Sequence, residues 1–217
     1  MSLDQSVRRS FSNAANTYDE KSSIQKAVLD RSLSALSEGD FFQILELGCG
    51  TGAATQSLSL RYPNSVISAI DFSSNMIDIA KKRVLSPNVS FYCKDIDSFS
   101  FPNGQNLVFS NSSLQWVTDF SGLAQKVSNS LAIDGIFFAS VFGCDTFKEL
   151  STVLCTVFGH EVLLPSQSFH SALQLKEFLS TQFSNIDVFN ESMFLRFSSS
   201  LELLRYIKKT GVRGPGL

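Results

Sequence analysis

The sequence predicts an α/β protein built on a doubly wound, mostly parallel sheet. Three observations carry that prediction. Short apolar runs alternate with amphipathic stretches between residues 41 and 142, the pattern of parallel strands whose crossover helices cover both faces. The first run, "FFQILEL", is apolar along most of its length, as a strand buried on both faces must be. Three glycines, Gly48, Gly50 and Gly52, then follow it, where the chain must turn into a helix.

Each element has its own signal. Between Lys21 and Ser37, Ile24, Val28, Leu29, Leu33 and Leu36 recur at helical spacings, and "SEGD" ends that helix. Residues 41–47 form the first strand, and "AATQSLSLRY" reads as a helix stopped by Pro63. "SVISAID" is the second strand, and "SSNMIDIAKKRV" is a helix opened by serines suited to an N-cap. "NVSFYCKD" and "QNLVFSN" are the third and fourth strands, and "FSGLAQKVSNSL" is the next helix. A turn at Asp134-Gly135 opens the fifth strand, "DGIFFASVF". Past Gly143 the rhythm changes. "DTFKELSTVLCTVFG" and "SALQLKEFLSTQF" read as helices, "NIDVFNESMFLRF" (185–197) as a long antiparallel strand, and "SSLELLRYIKKTG" as a last, serine-capped helix.

The totals set limits. A chain of 217 residues suits one domain. Its 43% hydrophobic and 18% charged residues give that domain an ordinary core. A net charge of −2 argues neither for general nucleic-acid binding nor for an acidic tail. No apolar stretch reaches the roughly 18 to 20 residues that span a membrane, and the N-terminus lacks the apolar segment of a secretory signal. Cys49, Cys93, Cys144 and Cys155 form no C-x-x-C pair, and His160 and His170 lie far along the chain from Cys49 and Cys93. No metal site is expected, and unpaired thiols fit a cytoplasmic setting.

A glycine turn after a first strand lets the backbone pass close to a ligand at the carboxyl ends of the strands. It can also be a tight turn with no ligand. The dinucleotide fingerprint is G-x-G-x-x-G, and here the third glycine comes one residue early, which disfavours a dehydrogenase. Asp71 closes the second strand, where a carboxylate can accept two hydrogen bonds from a ribose diol or cap the next helix. Asp95 ends the third strand, where it can take an exocyclic adenine amino group or be an ordinary loop residue.

"LELGCGTG", "AIDFSSNMIDIAKKR" and "CKDID" resemble the class I S-adenosylmethionine-dependent methyltransferases over residues 40 to 142. The resemblance implies a Rossmann-like sheet, S-adenosyl-L-methionine as cofactor, S-adenosyl-L-homocysteine as product, and no metal. It implies that Gly48, Gly50 and Gly52, with Cys49 among them, line the methionine part, and that Glu46 orients the loop. Asp71, with Phe72 beside it, would hold the ribose. Asp95, the backbone at Ile96, and Met76 would meet the adenine.

Further stretches narrow the resemblance. Phe11, Ala14, Ala15, Tyr18, Asp19 and Gln25 are similar to an F-x-x-A-A-x-x-Y-D helix and its later glutamine. Leu114, Gln115 and Trp116 match an L-x-Q-W turn, and "LLRYIKKTGVRG" a late helix ending in K-x-x-G. These resemble the malonyl-acyl-carrier-protein O-methyltransferases of biotin synthesis. That implies one domain, with residues 1–40 a helical lid, 41–142 the cofactor core and 143–217 the substrate side. Tyr18 would lie over the cofactor. Asn111, Gln115 and Trp116 would sit where the fourth strand opens onto the substrate, although Tyr18 and Trp116 could equally be packing residues. The acceptor would be the free carboxylate of a malonyl group, giving the methyl ester that primes pimeloyl synthesis. A carboxylate is ionised at pH 7, so no strong general base is required.

The implied partner is an acidic acyl carrier protein. Arg196, Arg205, Lys208, Lys209 and Arg213 lie within 18 residues, with Glu202 the only acid among them. Arg205 and Lys209 share a helix face, and Arg8 and Arg9 add charge at the other end of the chain. Such a patch steers an acidic partner or is simply a solvated helix. "GVRGPGL" (211–217) is too rich in glycine and proline for a strand, so the family's seventh strand is expected to be missing, by truncation or as a shortened natural end. Two other functions compete: a methyltransferase for a free small carboxylic acid, and a catalytically weak paralogue that binds the cofactor.

Overall fold

Five of the predicted runs pair into one all-parallel sheet. They are β1 (Gln43–Leu47), β2 (Val66–Asp71), β3 (Val89–Cys93), β4 (Gln105–Asn111) and β5 (Leu131–Ser140), in the order β3-β2-β1-β4-β5. The computed structural model describes residues 5–36 and 39–210. Strand order reverses between β1 and β4, so a crevice opens at their carboxyl ends. The register sets Leu45 beside both Ser68 and Val108 and makes β1 central. This explains why Ile44, Leu45 and Leu47 are wholly buried.

Side chains alternate between the two faces of the sheet. Ile44, Ile67, Leu107 and Phe109 pack with Leu29 and Leu36, the former on α2 (Ser23–Ala35), and with Leu58 on α3 (Ala53–Arg61). Leu45, Leu47, Ile70 and Val108 point the other way, onto Phe120, Leu123 and Val127 of α5 (Phe120–Ser130). The carbonyls of Leu33 and Leu36, at and just past the end of α2, take the Arg61 guanidinium, which satisfies acceptors that a helix end leaves open. α4 (Ser74–Arg83) starts at Ser73, whose hydroxyl accepts from the Met76 amide at 3.4 Å.

Outside the sheet, α1 (Gln5–Lys21) packs on α4 and on α8 (Ser200–Thr210), and α5 packs on α7 (Ala172–Ser180); α6 (Lys148–Phe158) precedes α7. Among the described residues no helix is long and apolar enough to cross a membrane.

Two strand expectations need correction. β5 begins at Leu131, ahead of the Asp134-Gly135 turn, because that turn is absorbed as an irregularity where the ladder shifts between Gln105 and Leu107. Residues 185–197 form no strand at all. An apolar run becomes a strand only when a neighbour takes its ladder bonds. Among the described residues none pairs with it, and Phe189 and Phe194 stay 89% and 78% exposed. The seventh-strand expectation concerns residues 211–217, outside the described residues.

Candidate active site

The glycine turn is built by two close approaches. Gly48 and Cys49 both donate their amides to the Ile70 carbonyl, at 2.8 and 2.9 Å, which ties the turn to the end of β2. Gly48 and Gly52 have φ of +74° and +81°, where L side chains are strained. A Cβ at Gly48 would stand 1.9 Å from Ser113 Oγ, and one at Gly52 would stand 3.0 Å from Ala80 Cα on α4. Between them the Gly50 amide donates to Asp71 Oδ2 at 2.9 Å, while the Ser73 amide donates to Oδ1 at 2.8 Å. Asp71 is thereby fixed by backbone on both oxygens.

A cavity opens beside this turn. Its walls include Tyr18, Gln25, Glu46, Gly48, Gly50 and Asn111. Asn111 bridges the elements around it: its amide donates to the Gln25 carbonyl at 3.3 Å, and its carbonyl accepts from Ser140 Oγ at 2.9 Å. Cys49 is buried and also lines the cavity.

The other predicted residues stand apart from it. Asp71, Phe72, Met76, Asp95 and Ile96 are not among the cavity walls. Asp95 pairs with Arg8 of α1 and accepts from the Asp97 amide. Arg8 also lies over the Phe72 ring, 5.0 Å from its centroid. Met76 is buried in the first turn of α4. Ile96 packs toward α5, and its carbonyl accepts from Lys126 Nζ at 2.9 Å. On the acceptor side, the Gln115 amide donates to the Ser112 carbonyl at 2.9 Å. Gln115 Oε1 and Trp116 Nε1 are buried with no hydrogen-bond partner among the described residues. The Trp116 ring stands edge-on to Phe11 and Phe169, at 5.7 and 5.1 Å.

Sequence reasoning missed one cluster. Thr51 Oγ1 donates to Asp19 Oδ1 at 2.7 Å, and Arg83 reaches both Thr51 and Asp19. Asp19 belongs to the F-x-x-A-A-x-x-Y-D helix and Arg83 closes "AIDFSSNMIDIAKKR", but nothing in either stretch joins the two. The basic patch also changes. Arg196 and Arg205 are exposed, but Arg8 is spent on Asp95. The side chains of Lys208 and Lys209, and all of Arg213, lie outside the described residues.

A family profile described as a methyltransferase domain matches residues 44–135. Over 213 residues the chain is 34% identical to a malonyl-[acyl-carrier protein] O-methyltransferase of Bacillus anthracis, covering 94% of this chain and 79% of that one. The chain belongs to this methyltransferase family. A Bacillus cereus protein of the same name is 33% identical over 214 residues, again covering 94% and 79%. Among solved structures, the complex between the Haloferax volcanii Trm112 methyltransferase activator and a methyltransferase superposes with a TM-score of 0.64, at 16% identity, covering 79% of this chain and 75% of that one. At that identity the likeness concerns the fold.

The cofactor of this methyltransferase is S-adenosyl-L-methionine, and the residues present fit its amino-acid end. That end carries an ammonium, a carboxylate and a sulfonium, and the cavity walls carry Glu46 and Asp19 as well as Lys26. Glu46 is 2% exposed and accepts from Thr55 Oγ1 at 2.6 Å. Burial pushes its carboxyl up to about 7 against the pull of that hydrogen bond, and the Asp71 charge adds to the rise. Burial likewise raises Asp71 to about 6, while the Ser73 and Gly50 amides and Arg8 pull it down. A carboxyl held this far up has lost hydration, so a cationic group beside Glu46, which lines the cavity, restores a partner to its ionised form. Burial, Asp71 and Asp19 raise the Tyr18 phenol, which therefore stays a neutral donor. Burial and the Glu46 and Asp71 charges push the Cys49 thiol well up, so it is no nucleophile at neutral pH.

Proposed function

We propose that this methyltransferase methylates the free carboxylate of a malonyl group carried on an acyl carrier protein, giving the ester that primes pimeloyl synthesis. One observation carries the reading. Identity to relatives of that name runs over 94% of the chain, beyond the profile match at 44–135, and so takes in α1 and the segments after β5.

In this reading Glu46, Gly48, Cys49, Gly50 and Gly52 surround the methionine part of the cofactor, and Asp71 takes the ribose hydroxyls. Phe72, Met76, Asp95 and the Ile96 backbone meet the adenine. When bound, the cofactor supplies an electrophilic methyl on a sulfonium. The substrate carboxylate is already an anion at neutral pH, so the protein has only to align it in a dry pocket. Trp116 Nε1, a buried donor without a partner among the described residues, holds the carboxylate oxygen that does not attack. Gln115, with its side-chain N–H on the Ser112 carbonyl, positions the turn that carries Trp116, and Tyr18 closes the pocket from α1. Cys49, Cys93, Cys144 and Cys155 are free thiols, which suits the cytoplasm.

Labelled S-adenosyl-L-methionine, offered with malonyl-carrier protein, free malonate or free aconitate, tests this. Label on the carrier species is the expected result. Label on the free acids alone overturns the substrate assignment, and cofactor binding without any transfer overturns the activity. The exposed Arg205 on α8 is proposed to meet the acidic carrier. Arg205→Glu is expected to weaken carrier binding about tenfold at low salt and to leave homocysteine-product binding unchanged. An unchanged carrier titration rejects that surface.

A further inference from the structure

We propose that α1 is a competitive latch on the nucleoside half of the cofactor site, with Arg8 standing in for adenine. The inference rests on the proposed placement of adenosine over Asp71, Phe72 and Asp95.

The N-terminal half of α1 touches the groups at the carboxyl ends of β2 and β3 one after another. Arg8 pairs with Asp95 and lies over Phe72 at 5.0 Å. Phe11 meets the same Phe72 ring edge-on at 6.2 Å. Ser12 Oγ is 3.0 Å from Ser73 Oγ, and the Ser12 carbonyl accepts from Asn75 Nδ2 at 3.0 Å. A guanidinium is planar, stacks on an aromatic face and donates N–H groups to a carboxylate. An adenine ring with its exocyclic amino group does the same. The two therefore compete for one carboxylate and one ring face, and neither Phe72 nor Asp95 lines the cavity beside the glycine turn.

Both ends of α1 are held by partly exposed ion pairs. Near the C-terminal end, Asp19 is bound by Thr51 of the glycine turn and by Arg83 of α4, with the Arg83 and Asp19 side chains 24% and 33% exposed. At the other end the Arg8 and Asp95 side chains are 28% and 22% exposed, so water and salt reach this pair as well. Of the two pairs, the Arg8 one occupies the groups proposed for adenine, so its release is what frees them.

Calorimetry and stopped-flow binding of S-adenosyl-L-homocysteine and of 5′-methylthioadenosine test the latch. Arg8→Ala is expected to bind both ligands about fivefold more tightly, mainly through a faster association rate. Arg8→Lys, which keeps the charge but loses the planar stack, is expected to fall between. Added salt is expected to speed association in the wild type and not in Arg8→Ala. Unchanged or weaker binding by Arg8→Ala overturns the latch. The underlying placement of adenine is tested separately in the Arg8→Ala background. There, Asp95→Asn is expected to weaken both ligands, and unchanged affinity overturns the placement and the latch with it.

Discussion

Gly52→Ala is expected to destabilise the ligand-free protein by about 3 kcal/mol, combining a left-handed backbone with overpacking. At φ +81° the new methyl would stand 2.9 Å from Ala80 Cβ and 3.0 Å from Ala80 Cα. The nearest obstacle includes helix backbone, so α3 and α4 must move apart. That shift pulls the Gly50 amide off Asp71, and product binding is expected to fall with stability. Gly50→Ala is the comparison. Gly50 also has positive φ, at +53°, but no atom lies within 4 Å of its added methyl. Its cost is therefore the backbone alone, about 1 to 2 kcal/mol. Urea melts of the two variants decide the matter, and equal losses would show that packing on Ala80 is unimportant.

Glu46→Gln is expected to do the reverse and stabilise the ligand-free protein above neutral pH, by up to about 3 kcal/mol. The Glu46 carboxyl is raised from 4.5 to about 7 in the fold. A group raised in this way favours the folded state while it holds its proton. The benefit is complete below about pH 4.5 and is lost as pH rises through 7. Glutamine keeps an acceptor for Thr55 and never ionises. Unfolding midpoints at pH 5.5 and 8 should fall more steeply in the wild type than in Glu46→Gln. Parallel falls would sink the assignment of buried strain to this side chain.

The sheet was legible because each of its strands carries its own signal, an apolar run closed by a turn. The glycine turn was legible for a similar reason, since close approach and positive φ exclude other residues within a five-residue window. What could not be read are the contacts that hold α1 down. Arg8 and Asp95 are 87 residues apart and Asp19 and Arg83 are 64 apart, with no local pattern to join them. Arg8 therefore looked like one more surface charge. Residues 185–197 misled in the opposite sense. Their apolar residues suit a strand, but a strand is a property of two segments, and none of the described residues pairs with this one.

Trp116 is the only tryptophan in the chain. It stands edge-on to Phe11 of α1 and to Phe169. The protein thus carries its own optical gauge of the helix above it. When Phe11 leaves, the indole meets water and its emission moves to longer wavelength. Ligand-free Arg8→Ala is expected to emit to the red of the wild type, and coincident spectra would mean that α1 stays down without its guanidinium. The colour of one residue's light reports, without any label, whether the door to the nucleoside is open.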